Sequence, residues 1–318
     1  MIEKNQSKEF EYISKAYEKS GGDVSKLLSK DIVSIIISGN KILGRNTVEG
    51  IDLKSEIKDN FVKVIFTAKD GVKLKKQIHL CVGYLEKFGE QHLEYEFNIG
   101  NDCSLNFLSH CTFPAAKDIL HEMTANLKIG ENSKVSFEDI HFHNEEGLVT
   151  LDTKYYANVG KNSVYDSRFK LVKTRIGNMK VLMDVNLEEN AKTYLETKVK
   201  AKKDDRLEVN EIIRLTGTKS SGIAKSYVIA QDESYAKIVN EAYGDGDYSV
   251  GHIECTEIVD GNKVDVQTIP LLRVRNELSE LTHEASVGRI NPGQLETLMS
   301  KGLSEDEATE LIIKGVLV

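Results

Sequence analysis

Three short segments set thirty residues apart constrain this chain more than any other feature. IGNDCSL begins at Ile99, IGENSKV at Ile129 and VGKNSVY at Val159. A looser copy, LEENAKT, starts at Leu187, and AQDESYA follows at Ala230. Each has an apolar residue, a turn of Gly, Asn, Asp or Glu, a small residue and then a strand-forming run. Turns at a fixed period, each feeding a strand, predict a β-solenoid whose units bury their inner faces only against their neighbours. An ordinary sandwich with similar hairpins is the competing reading. The alternating segments FVKVIFTA, KLKKQIHLCVG, HLEYEFNIG, KVSFEDIHFH and KVDVQTI fill residues 32–270, the expected β core. DIVSIIISGNKILG opens it with a turn at Gly39-Asn40, and three prolines in the chain leave long strands unbroken.

Both ends read as helical, over 1–31 and 271–318. Within 3–28, Gly21-Gly22 breaks the pattern. Tyr12, Ala16 and Tyr17 share a face before the break, and Asp23 is an N-cap for a turn carrying Val24, Leu27 and Leu28. Beyond Pro270, QLETLMSKGLSEDEATELIIKG reads as two short helices. Leu295, Leu298 and Met299 stripe the first, and Gly302 is suited to the C′ position. Ser304 and Glu307 form a capping box for the second, whose stripe is Ala308, Leu311 and Ile312. Such a pair packs at home or docks into a partner.

The 318 residues carry 42 basic and 50 acidic side chains, a net charge of −8, so no basic footprint for nucleic acid is expected. No apolar run approaches the roughly 20 residues that span a bilayer. The polar start MIEKNQSKEFEYISK is not a secretory signal, and a cytoplasmic protein is expected. In that setting Cys81, Cys103, Cys111 and Cys255 are core thiols, metal ligands or reactive sulfurs, not a disulfide framework.

Three constellations offer chemistry. GHIECTEIV followed by THEAS brings a thiolate, Cys255, an imidazole, His283, and a carboxylate, Glu284, all ligand types for iron and its sulfide clusters. A lone Cys in a strand is also an ordinary core residue. In QIHLCVG, alternation turns Ile78, Leu80 and Val82 to one side and His79 with Cys81 to the other, for metal binding, sulfur transfer or simply a polar face. In CSLNFLSHC and IHFHN, Cys103, Leu105, Phe107 and Cys111 fall together as core, with His110 opposite. His141 and His143 share a face, as metal ligands needing others or, the expected reading, as solvated histidines. GTKSSGIAKS at 217–226 looks like a phosphate loop, but Ile223 and Ala224 stand where Lys and Ser/Thr are required. There is thus no Walker A loop, and no Gly-x-Ser-x-Gly elbow or His-Glu-x-x-His helix.

Taken in order, QIHLCVG (77–83), SHCTFP (109–114), IHFHNEEG (140–147), GHIECTEI (251–258), IPLLRVRN (269–276), THEASVGRI (282–290) and QLETLMSKGLSEDEA (294–308) resemble the SufB/SufD family, in its short archaeal-type branch. The resemblance implies a right-handed parallel β-helix with small N- and C-terminal helical regions. It implies a homodimer formed through the β-helix and two copies of a SufC-type ABC ATPase docked at the C-terminal helices, by way of Leu295, Leu298, Met299, Leu311 and Ile312. ATP hydrolysis then belongs to SufC, and this chain is not an enzyme. The implied role is a scaffold for a transient iron–sulfur cluster, [4Fe–4S] or [2Fe–2S], fed by a sulfur donor and emptied by apo acceptor proteins. Cys255 is its interface thiol and His283 and Glu284 are partners of that thiol; His79, Cys81, His110, His141 and His143 are secondary metal or sulfur-transfer candidates.

Bacterial SufB carries a further Glu where this chain has Thr282, and a long N-terminal domain that this sequence does not show. The first leaves the full ligand set open; the second points to a minimal system of one scaffold and one ATPase type, with the scaffold a homodimer. An adaptor that regulates the ATPase without holding a cluster is the alternative. A carbohydrate-active β-helix enzyme is disfavoured, because no Trp and no acidic pair line a strand face.

Overall fold

The computed structural model describes residues 4–27, 29–58, 61–146 and 148–317; Leu28 of the expected N-terminal turn and Gly147 of IHFHNEEG lie outside them. Among the described residues nineteen strands form two sheets. The first, ten-stranded, runs from β2 (Lys41–Asn46) through β1 (Ser34–Ser38), β5 (Ile78–Gly83), β7 (Ser104–Thr112), β9 (Lys134–Phe142), β11 (Val164–Leu171), β13 (Lys192–Ala201), β15 (Ser221–Gln231) and β17 (Val250–Asp260) to β19 (Glu280–Gly288). The second, nine-stranded, runs from β3 (Ile51–Lys58) through β4 (Phe61–Ala68), β6 (Phe88–Ile99), β8 (Asp118–Ile129), β10 (Leu148–Val159), β12 (Asn178–Leu187), β14 (Arg206–Leu215) and β16 (Tyr235–Gly244) to β18 (Asp265–Val274). From β5 onward the chain alternates between the sheets and each strand pairs parallel with the strand one turn before, making a parallel β-solenoid of about eight turns.

The repeat is the corner that leads from the second sheet into the first. Asp102, Asn132, Asn162, Asn190, Lys219 and Tyr248 all adopt φ between 53° and 57° there. Asn and Asp tolerate this left-handed conformation because their short side chains bond locally. Each corner is pinned to the next, as when Asn132 N–H donates to the Lys161 carbonyl (2.9 Å) and Asn162 N–H to that of Glu189 (2.9 Å). The small residue then enters the core: Ser133 Oγ accepts from Cys103 N–H, and Ser163 Oγ from Ser133 N–H. Gly130 stacks so closely on the turn before it that a Cβ would lie 2.6 Å from the Gly100 carbonyl carbon.

One reading of the repeat is corrected, and one further copy is added. AQDESYA belongs to the opposite corner, where Lys203 and Asp232 are left-handed; its turn chemistry is the same, so spacing alone separates the two ladders. The apparent phosphate loop is a true copy of the first corner, with Ser220 Oγ donating to the Gly217 carbonyl (2.7 Å).

Inner positions alternate with outer ones along every full turn, and the inner ones form one continuous core. Phe97, Phe107 and Phe137 cluster within it at centroid distances of 5.0 to 5.8 Å, Phe107 stacked on Phe137 and Phe97 edge-to-face with both. At the N-terminal end α1 (Lys4–Ser20) and α2 (Val24–Leu27) cover the outer face of the first sheet near β5 and β7. Asp23 caps α2 through the Ser25 N–H (3.1 Å), as expected. The buried stripe of α1 is Ile13, Ala16 and Tyr17, whereas Tyr12, assigned to it from the sequence, is 62% exposed. One residue is a 100° turn of a helix, so Ile13 takes the inward place and Tyr12 does not.

The helical texture begins later than expected. β18 and β19 continue the solenoid past Pro270 to Gly288, and α3 (Pro292–Met299) and α4 (Glu305–Leu317) follow. Pro270 is tolerated because β18 is an edge strand with no further neighbour to receive its missing N–H. No helix of the described residues is long and apolar enough to cross a membrane.

Candidate functional site

The C-terminal end of the solenoid is open. Among the described residues no later turn covers β18 and β19, so their inward side chains are uncovered on the end side and both strands present an unpaired edge. Ile269, Leu271, Leu272, Val274, Leu278 and Val287 are exposed apolar side chains at this end.

Cys255 lies one strand beneath the opening. On β17 the inward side chains are Gly251, Ile253, Cys255 and Glu257, and Cys255 is 1% exposed. Register places Cys255 beside Ala285 and Ile253 beside His283, so His283 is a diagonal neighbour of the thiol on the same face, and it is exposed. Glu284 pairs with Glu254 and takes the opposite face by alternation. The structure therefore brings two of the three expected ligands to one face and the third to the other side of the same edge strand.

The interior behind Cys255 is polar where a solenoid core is normally apolar. Along the first sheet, Cys255, Ser226, Thr197 and Phe169 occupy one register column. Facing it, Glu211 and Asn240 stand side by side on β14 and β16. Thr197 Oγ1 donates to Glu211 Oε1 (2.6 Å) and Asn240 Nδ2 to Glu211 Oε2 (2.5 Å). Burial pushes the Glu211 carboxyl up to about 7, with Glu196 and Glu257 adding to the rise. Burial likewise pushes Glu257 up to about 7 and the Cys255 thiol up to about 12. Both acids keep their protons through mildly acidic pH, and the thiol is neutral at rest. The sequence reading missed Glu211, Asn240 and Glu257. Their signal was there: in GHIECTEIV, Glu257 falls on the same alternation as Ile253 and Cys255.

The second constellation is sealed. Ile78, Leu80 and Val82 enter the main core as expected, while His79 and Cys81 face outward beneath α1. Tyr17 Oη and His79 Nδ1 share a hydrogen bond (2.9 Å), and the His110 ring packs edge-on to Tyr17 at 4.6 Å. Burial pushes Cys81 up to about 12 and His110 down to about 4. Cys103 and Cys111 are core thiols as read, with His110 on the other face.

The expectation of solvated histidines at 141 and 143 is overturned, since both are buried inside the solenoid, His143 completely. Asp139 and His141 take the inward parity of β9, and the chain turns His143 in against Phe113. Polar residues at inward parity look like an outer face when the apolar neighbours Ile140 and Phe142 are taken for the core.

At the C-terminus Ser304 and Glu307 form the expected capping box, Ser304 N–H donating to Glu307 Oε2 (2.8 Å), and Gly302 adopts φ +97°. Helix α4 buries Ala308 and Ile313, and Lys200 Nζ of the solenoid grips its Glu310 at 2.7 and 2.9 Å. Ile312 is half-buried, while Leu311 is 49% exposed. On α3, Leu295 and Leu298 are half-buried and Met299 is exposed. Home packing and free apolar surface are thus divided between the two helices.

The chain is similar to known proteins along nearly its whole length. The family profile described as SUF system FeS cluster assembly, SufBD core domain, matches residues 90–316. An iron–sulfur cluster assembly SufBD family protein of Pyrococcus horikoshii is 50% identical over 316 residues, 99% of this chain and 96% of that protein. One from Methanocaldococcus jannaschii is 37% identical over 283 residues, 89% of each. The iron–sulfur cluster assembly protein SufB of Bacillus subtilis is 42% identical over 66 residues, 21% of this chain and 14% of its own.

Proposed function

Since this chain belongs to the SufBD family of iron–sulfur cluster assembly proteins, we propose that it is a scaffold that builds a labile cluster at a homodimer interface and works with a SufC-type ATPase. The observation that carries this reading is the place of Cys255: one strand below an open solenoid end, beside His283 on the same face. One thiol per chain is too few for a stable four-thiolate cluster, so a site shared by two chains fits the donor set. The unpaired edges of β18 and β19 and the apolar side chains around them favour closure by a second copy. A cargo cluster held by few thiolates is also easily released to an acceptor.

At rest the thiol is buried and protonated, so iron and sulfide reach it only when the dimer interface that covers this end opens. ATP-driven motion of the ATPase, docked at α3 and α4, supplies that opening. Glu284 joins the ligand set when the edge twists, because its face is opposite that of Cys255. A sulfur donor and an apo acceptor complete the cycle, in a cytoplasmic setting where the four free cysteines stay reduced.

The sealed state of Cys255 also favours the adaptor alternative, in which the chain only regulates the ATPase. Transfer separates the two. A chain loaded anaerobically with iron and sulfide is mixed with an apo ferredoxin, and recovery of the acceptor's spectrum is followed. A scaffold delivers the cluster. An adaptor delivers none, and its stimulation of the ATPase survives substitution of every cysteine.

A further inference from the structure

The first half of the solenoid holds a second polar interior, apart from Cys255. Asp139 lies in the same register column as Cys255, but Phe169, Thr197 and Ser226 stand between them. Four strand spacings of ~4.8 Å put the two about 19 Å apart. Around Asp139 gather Cys111 and His141 from the same sheet, with His121 and His143 next to them, all buried. We propose that Cys111, Asp139 and His141 form a buried site for a divalent transition metal of borderline softness, zinc(II) or iron(II).

The geometry suits a tetrahedral ion. One ligand atom from each of the three residues lies within 4.8 Å of the other two. Cys111 Sγ is 3.7 Å from Asp139 Oδ1, and His141 Nε2 is 3.2 Å from Asp139 Oδ2. Metal–ligand bonds of ~2.0–2.3 Å at tetrahedral angles separate ligand atoms by about 3.3–3.8 Å, so a turn of the Asp139 carboxylate that brings one oxygen towards both neighbours completes the set.

The chemistry agrees. Sulfur, nitrogen and oxygen donors together select zinc or iron over the all-oxygen preference of calcium and magnesium. A thiolate and a carboxylate balance a divalent cation, so a dry core receives no net charge. Tyr155 Oη donates to Asp139 Oδ2, the kind of support that holds a ligating carboxylate in place.

A fourth ligand is at hand. The His143 ring is completely buried, and among the described residues His121 Nε2 has no hydrogen-bond partner. Their rings lie 5.7 and 6.0 Å from that of His141. Buried imidazole nitrogens without partners are costly unless something binds them.

The test uses the full-length chain, stripped of metal and titrated anaerobically with cobalt(II). The expected result is one equivalent bound per chain with a sulfur-to-cobalt charge-transfer band, kept in Cys255→Ala and Cys81→Ser and absent in Cys111→Ser. His141→Gln binds at least about tenfold more weakly. Displacement of cobalt by zinc(II) or iron(II) supports the proposal; displacement by magnesium or calcium instead overturns it. A band that survives in Cys111→Ser, or no band in the folded wild type, also overturns it. Should Cys111→Ser not fold, X-ray absorption at the zinc edge of the loaded wild type and Cys255→Ala decides. A single sulfur ligand in both supports the site, and none, or two, refutes it.

Discussion

Replacing Glu211 by Gln tests whether the interior behind Cys255 is as dry as its geometry says. In the fold the carboxyl titrates at about 7, against 4.5 as the ordinary value. Between these two values the unfolded chain has released this proton and the folded chain still holds it. Stability therefore falls as pH rises from about 4.5 to 7 and levels off above, where both states are ionised. The gap of about 2.5 units corresponds to about 3 kcal/mol for a group with no contact with solvent. Gln is neutral throughout. It keeps an acceptor for Thr197 Oγ1 and can donate to Asn240 Oδ1, which has no partner, once that amide is turned. Any constant offset is then about 1 kcal/mol.

The buried histidines 79, 110, 121 and 143, held neutral by burial, slope the opposite way as pH falls, so only the difference between the two proteins is diagnostic. Urea unfolding of both at about pH 5, 6, 7 and 8 gives that difference. Glu211→Gln should gain on the wild type through this window and lead by about 2–3 kcal/mol at about pH 8. Parallel curves, with a constant gap at every pH, would refute the dry polar pocket.

Other outcomes follow from single contacts. Gly130→Ala pushes a Cβ against the Gly100 backbone and should lower stability by about 1–3 kcal/mol in the same urea assay, because the stacked corner has no room to yield. Leu311→Asp places a charge on the exposed face of α4; stability should change by less than about 0.5 kcal/mol while pull-down of a SufC-type ATPase is lost. Ile13→Asp should loosen α1 from the sheet and raise the iodoacetamide labelling rate of Cys81 at least about tenfold, with Cys103 unchanged, as read by mass spectrometry of the labelled peptides.

The solenoid was legible because its corners are short-range chemistry. Asn132 and Asn162 must adopt the left-handed region at one spacing, and a sequence prints that spacing directly. Cys255 and His283 were singled out by the family's motifs, and register sets them on one face of the sheet. What stayed hidden was orientation. Asp139, His141, Glu211 and Glu257 sit at inward positions where hydropathy predicts outward ones, and only the sheet register shows which parity faces the core. Tyr12 and Ile13 illustrate the same limit in a helix, where a single residue of phase decides burial. The true extent of the strands was hidden by Pro270, which reads as a break until β18 is known to be an edge.

The claim that Cys255 anchors the cluster is tested most directly by anaerobic reconstitution with iron and sulfide, comparing wild type with Cys255→Ala by absorbance and by iron and sulfide content. About one cluster per pair of chains is expected in the wild type, with none retained by Cys255→Ala. Full cluster content in Cys255→Ala would contradict the assignment of that thiol and, with it, the interface site.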